Sequence, residues 1–100
     1  MIIYCDIDGV LLTQDPEHPS WYHKAKPITK NIAKINKLYD QGNSIILWTS
    51  RGGITGIDWR ELTVEQLAKW GVKYHRLRMN KPFYDMFIDD KAFNVDELAP

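Results

Sequence analysis

The sequence has a single cysteine, Cys5, so no internal disulfide can form and nothing in the chain demands an oxidising compartment. It has no excess charge of either sign, since 13 lysines and arginines balance 13 aspartates and glutamates. That balance excludes a global electrostatic pull toward nucleic acid or an anionic membrane. No apolar run approaches the roughly 20 residues that cross a bilayer. The start, MIIYCDID, lacks the basic region of a signal peptide and meets acids too early to be one. Internal repeats, low-complexity tracts and dividing linkers are missing as well. The expectation is one cytoplasmic domain over residues 1–100, long enough to bury a core without staples.

What is there alternates in character along the chain. Residues 2–6, IIYCD, are short, apolar and β-branched at their start, which predicts a buried strand. Residues 9–27 carry Gly9, Pro16, Pro19 and Pro27 among polar residues and predict a loop, with a small hairpin at Val10 to Leu12. Ile28, Ile32, Ile35, Leu38 and Tyr39 recur at helical spacing, so a helix is expected from Ile28 to Gln41, with Gly42 just past its end. Residues 44–48, SIILW, predict a second buried strand, and 51–57, RGGITGI, a glycine-rich loop. A second helix is expected from Asp58 or Trp59 to Trp70, with Leu62, Leu67 and Trp70 inward. Strands at 72–77 and 84–89 follow, then a helical turn in the last ten residues. Strands alternating with helices predict an α/β fold with a central parallel sheet, in strand order 3-2-1-4.

In such sheets ligands bind outside the carboxyl ends of the strands. There the first strand ends in Asp6 with Asp8 just beyond, and the second in Thr49, Ser50 and Arg51. The fourth ends in Asp89 and Asp90, with Lys81 in the loop before it. Carboxylates packed this closely repel unless a cation sits among them. The ligands on offer are oxygens, without a His or Cys at suitable spacing, which favours Mg2+ over zinc. A phosphate would explain the neighbours. Lys81 can offset its charge, and the Thr49 hydroxyl and nearby backbone N–H groups can donate to its oxygens. Ser50, Arg51 and Gly9 belong to the same expected phosphate-binding group. One carboxylate can attack phosphorus to give an aspartyl-phosphate. A second, two residues on, can protonate the leaving group and later activate water. A spacing of two suits this because alternate residues of an extended chain point the same way.

Plainer readings stand beside these. Asp6 and Asp8 can cap a strand or turn, and Asp89–Asp90 can be a helix N-terminal pair. Ser50 competes with Thr49, and Lys91 with Lys81. Arg51, Gly52 and Gly53 read equally as substrate contacts or as a turn. His18, His23 and His75 lack ligand spacing. Trp21 and Tyr22 can stack on a substrate, pack in the core or meet another subunit, while Trp48, Trp59 and Trp70 read as core. Cys5, beside Asp6, reads as an inert buried thiol.

Taken in order, the DIDGV stretch, the strand ending in WTSR, the lysine of NKPFYD and the FIDD pair resemble the four motifs of the haloacid dehalogenase-like (HAD) phosphohydrolase superfamily. The resemblance runs from residue 2 to residue 90. It implies a small Rossmann-like, three-layer core, Asp6 as nucleophile, Asp8 as general acid and base, Thr49 as phosphate-binding hydroxyl and Lys81 as charge-stabilising lysine. It implies a Mg2+ ion held by Asp6, the backbone carbonyl of Asp8, and Asp89, with Asp90 helping directly or through water. The sequence offers fewer strands than the family's usual core. Neither residues 9–27 nor the stretch from Thr49 to Lys81 has room for a cap domain, so the resemblance is to capless members, whose open sites take a large substrate or borrow a wall from a neighbouring subunit. The expected activity is Mg2+-dependent hydrolysis of a phosphate monoester, on a phosphorylated sugar or related small metabolite. A nucleotide or the 3′-phosphate of a nucleic acid is the alternative substrate, with the neutral net charge counting against nucleic acid. A receiver-like phosphoacceptor module and a degenerate HAD binding module are the rivals that do not hydrolyse.

Overall fold

Side chains alternate along each strand of this chain, and the pairing register gathers the buried ones on one face. The computed structural model describes residues 1–53 and 55–100. Its elements are β1 (Ile2–Cys5), α1 (Thr29–Asp40), β2 (Ser44–Trp48), α2 (Arg60–Lys69) and β3 (Arg76–Arg78), with 3-10 turns at Tyr22–Lys24 and Val95–Glu97. The strands form one parallel sheet in the order β1-β2-β3. Ile3 pairs with Ile45, Cys5 with Leu47, and Leu47 with Leu77. These side chains join Ile32 and Ile35 of α1, Leu67 of α2, and Ile7, Leu11, Leu12 and Val72 in a single core. Full burial of a residue such as Leu47 or Leu67 contributes about 1.5–3 kcal/mol.

Both helices therefore lie on the same face, and the fold has two layers where three were expected. Crossovers between parallel strands are right-handed, and two that step in the same direction place both helices on one side. Among the described residues the other face is uncovered. It carries Ile2 and Tyr4, 72% and 49% exposed, with Ile46, Trp48, Arg76 and Arg78. Tyr4 meets Trp48 edge-on at 5.7 Å and accepts from Arg78 Nη1 at 3.2 Å. Trp48, Trp59 and Trp70 are half-buried rather than central to the core.

The expected fourth strand is not formed. Residues 84–89 are irregular and exposed, with Met86 at 76% and Ile88 at 88%, and among the described residues β1 is paired only with β2. In YDMFID the residues Tyr84, Met86 and Ile88 alternate as a strand's would, but Phe87 falls on the opposite face and none of these side chains joins the core. The third strand begins later than expected, at Arg76. Val72 N–H closes the end of α2 on the Leu67 carbonyl at 3.0 Å. His75 then donates its backbone N–H to Ile45 O at 2.8 Å while its ring Nδ1 accepts from Ile45 N at 3.0 Å. A side chain thus fills the ladder position that a strand residue would have held. In place of a hairpin at Val10 to Leu12 there is a tight turn, with Leu12 bridging to Asp8 and Pro27. No helix among the described residues is long and apolar enough to cross a membrane.

Candidate active site

Because the strands are parallel, the residues that follow β1, β2 and β3 all emerge at one edge. Past β1 the chain stays extended through Ile7, which is fully buried. Alternation then turns Asp6 and Asp8 away from the core, on either side of Ile7. Gly9 reverses the chain at φ +82°, a conformation that a side chain resists. The Ile7 carbonyl accepts from Val10, Leu11 and Leu12 N–H at 3.1, 2.9 and 3.1 Å. Asn31 of α1 donates Nδ2 to the Val10 carbonyl at 2.7 Å, pinning this turn to the helix.

Asp6 Oδ1 accepts from Ile7 N–H at 2.8 Å, and its Oδ2 lies 3.1 Å from Lys81 Nζ. Burial alone would lower the Lys81 ammonium, but the Tyr84 side chain and the Asp6 carboxylate outweigh it and hold the group above the usual lysine range. Lys81 is delivered here by its own N–H, which bonds the Thr49 carbonyl past the end of β2 at 3.1 Å. A pocket of about 200 Å³ is lined by Asp6, Asp8, Ser50 and Lys81. Tyr22, Phe83 and Tyr84 add aromatic surface to it, and Gln14 an amide.

The other expected site residues are placed differently. Thr49 is 1% exposed, and its hydroxyl accepts from Arg51 N–H at 3.2 Å, so Ser50 is the hydroxyl that lines the pocket. Arg51 is 2% exposed. It holds the Asp8 carboxylate, with Nη2 2.8 Å from Oδ1 and Nε 3.0 Å from Oδ2. Its Nη1 donates to Thr63 Oγ1 at 2.9 Å and Gln66 Oε1 at 2.7 Å. Gly9 directs its N–H to the Leu12 carbonyl at 2.8 Å. Asp89 and Asp90 are exposed on the segment that was expected as a strand, and Asp89 Oδ1 accepts from Lys91 N–H at 2.6 Å.

This placement bears on the metal. Among the described residues no group of three or more His, Cys, Asp or Glu side chains is gathered to hold an ion. The two acids that do meet each have a cation of the chain's own, Lys81 for Asp6 and Arg51 for Asp8. Their repulsion is relieved from within, so Asp6 and Asp8 as placed do not by themselves call for a divalent ion.

Thr63, Gln66 and Asn31 were not singled out in the sequence. The signal was there in α2: Thr63, Gln66, Leu67 and Trp70 fall on one helical stripe, so two polar residues face inward and need partners.

The chain matches no protein-family model and no curated protein. Its structure is similar to the crystal structure of an MCSG target from Vibrio cholerae, at 25% identity and a TM-score of 0.79, over 96% of this chain and 85% of that one. It is also similar to part of a chain in the structure of a Pnkp1/Rnl/Hen1 complex, at 26% identity and a TM-score of 0.62. That match spans 89% of this chain and 30% of the other.

Proposed function

We propose that this chain is a cytoplasmic phosphohydrolase of the HAD-like kind, acting on a phosphate monoester through an aspartyl-phosphate on Asp6. One observation carries the reading: Asp6 and Asp8 share a pocket at the carboxyl edge of a parallel sheet with Lys81 and Ser50. In the first step an Asp6 oxygen attacks phosphorus, the bond to the leaving oxygen breaks, and Asp8 gives that oxygen a proton. In the second, water attacks the aspartyl-phosphate, Asp8 takes its proton, and Asp6 and inorganic phosphate are released. Lys81 offsets charge on the phosphoryl oxygens, and the Ser50 hydroxyl donates to one of them.

Mg2+ and the fourth strand belong to this proposal together. The outer edge of β1 and the apolar side chains of residues 84–88 are both exposed. A parallel strand formed there, in the order 3-2-1-4, would carry Asp89 and Asp90 to the edge where Asp6 stands. Bound there, Mg2+ would offset phosphoryl charge. The small pocket favours a phosphorylated sugar or related metabolite as substrate. A nucleotide or a nucleic-acid 3′-phosphate is the second reading, favoured by the aromatic surface of Tyr22, Phe83 and Tyr84, on which a base can stack.

The test is turnover of p-nitrophenyl phosphate with and without Mg2+, for wild type and Asp6→Asn, followed by a panel of phosphorylated sugars and nucleotides. Turnover that vanishes in the variant supports the enzyme. A stable phosphoprotein without turnover supports a receiver-like module, and no reaction on any substrate supports a binding module.

A further inference from the structure

We infer that Arg51 is a positioning residue for Asp8: its buried guanidinium fixes the one orientation of that carboxylate from which protons pass to and from the substrate oxygen. The inference rests on the phosphohydrolase reading and assigns a role to a group that does not line the pocket.

Asp8 stands beyond the end of β1, just before a glycine turn, where the backbone alone leaves its side chain several rotamers. The Arg51 fork removes that freedom. Nε lies 3.2 and 3.0 Å from Oδ1 and Oδ2, and Nη2 lies 2.8 Å from Oδ1, so both carboxylate oxygens are held. The Arg51 side chain is 0% exposed and that of Asp8 11%, which leaves the acid a narrow opening to the pocket. The guanidinium is itself held from behind. Thr63 and Gln66 of α2 accept from Nη1, and Thr63 donates on to the Trp59 carbonyl at 2.7 Å. Gln66 Nε2 donates to the Tyr22 carbonyl at 2.7 Å, and the guanidinium lies 4.7 Å from the Tyr22 ring centroid. One cation thereby joins the Asp8 turn, helix α2 and the loop that supplies a pocket wall.

So many bonds on one buried charge suit a rigid mount. Burial of an ion pair adds little net stability, but it fixes geometry when every donor is satisfied. Proton transfer needs that geometry, with the acid oxygen about 2.6–3.2 Å from the oxygen it serves. The state held is the carboxylate, which is what Asp8 becomes after protonating the leaving oxygen and what it must be to accept a proton from water. A lysine could not do the same, because a point charge on a flexible stem cannot hold two oxygens in a plane.

The experiment compares a good leaving group with a poor one. p-Nitrophenolate departs without a proton, whereas an alkoxide needs one. Wild type, Arg51→Lys, Arg51→Gln, Asp8→Asn and Gln66→Met are assayed on p-nitrophenyl phosphate and on an alkyl phosphate, with circular dichroism to confirm folding. General acid catalysis contributes about 10²–10⁴-fold, so in the Arg51 variants kcat/KM, which reports phosphoenzyme formation and not the later attack by water that both substrates share, should fall at least about 10-fold further on the alkyl phosphate than on p-nitrophenyl phosphate. Asp8→Asn should show the same selectivity, and adding Arg51→Gln to it should cost nothing more. Gln66→Met, which keeps Arg51 but removes one of its anchors, should act in the same direction more weakly, and it serves as the test if the Arg51 variants do not fold. Equal losses of kcat/KM on both substrates in folded variants, or losses that add to those of Asp8→Asn, would overturn the inference alone. Failure of wild type to turn over either substrate would overturn the phosphohydrolase reading and this role with it.

Discussion

Lys81 Nζ lies 3.1 Å from Asp6 Oδ2, and the lysine side chain is only 11% exposed where the two meet. In the proposed reaction this ammonium faces the phosphoryl oxygens as Asp6 attacks. Lys81→Met should lower kcat by about 10²–10³-fold, the usual cost of losing one pre-aimed electrostatic donor. Steady-state kinetics on p-nitrophenyl phosphate checks this, and rapid-quench trapping should show the phosphoenzyme forming more slowly.

Alkaline pH should weaken the fold. Burial, then the Asp6 charge, push the Cys5 thiol up to about 12 from an ordinary 9.0, against the opposing pull of Lys81. Burial and the Asp8 charge raise Tyr22, and Lys81 is raised as well. Each of these groups holds its proton to higher pH when folded than when unfolded. The folded state therefore binds more protons in this range, and stability falls as pH rises from about 9 toward 12. Urea midpoints measured across that window should drop steadily, and Cys5→Ala should remove part of the slope. The same buried thiol should resist alkylation at pH 8 until denaturant is added.

Gly52 holds the loop that follows Arg51. Its φ is +89°, and a Cβ there would stand 2.6 Å from the Ile57 carbonyl oxygen. Gly52→Ala should cost about 1–3 kcal/mol from backbone strain, with the carbonyl contact adding to it. Equilibrium urea unfolding measures this. Because the loop carries Arg51, turnover of an alkyl phosphate should fall in the same variant.

Helix α2 is joined to the core by few apolar groups. Leu67 is fully buried, while its inward neighbours Thr63 and Gln66 spend their surface on Arg51. Leu67→Ala should therefore cost about 2–5 kcal/mol, as other buried leucines do. Thermal or urea unfolding checks the value.

Where local pattern and tertiary structure agreed, the sequence could be read directly. SIILW is strand β2 at the expected residues, and the isoleucines of α1 fix its inward face. The DxDG spacing put Asp6 and Asp8 on one side because extended backbone alternates, whatever the rest of the chain does. Lys81 was expected in the loop before a fourth strand that is not formed, and it reaches Asp6 because its own N–H bonds the Thr49 carbonyl. What was not legible depended on partners far off in sequence. Arg51 reads as a glycine-loop cation, and only the position of α2 shows that it turns inward to Asp8, Thr63 and Gln66. Thr49 and Ser50 are neighbours with the same chemistry, and the end of β2 decides which one faces the pocket. His75 delays β3 because its ring, not its backbone, satisfies Ile45 N–H. The YDMFID stretch has a strand's alternation at Tyr84, Met86 and Ile88, yet its side chains stay exposed beside an unpaired edge of β1, so local pattern alone did not decide the pairing.

Ile7 is the fully buried residue between the two acids, and its carbonyl also anchors the turn behind them. It is the reference mark from which both carboxylates are set out. Elsewhere in the interior one aliphatic residue can replace another of similar volume at a modest loss of stability. At Ile7 the same exchange would shift the two acids together, so in the proposed reaction a change of shape there would cost turnover before it cost stability.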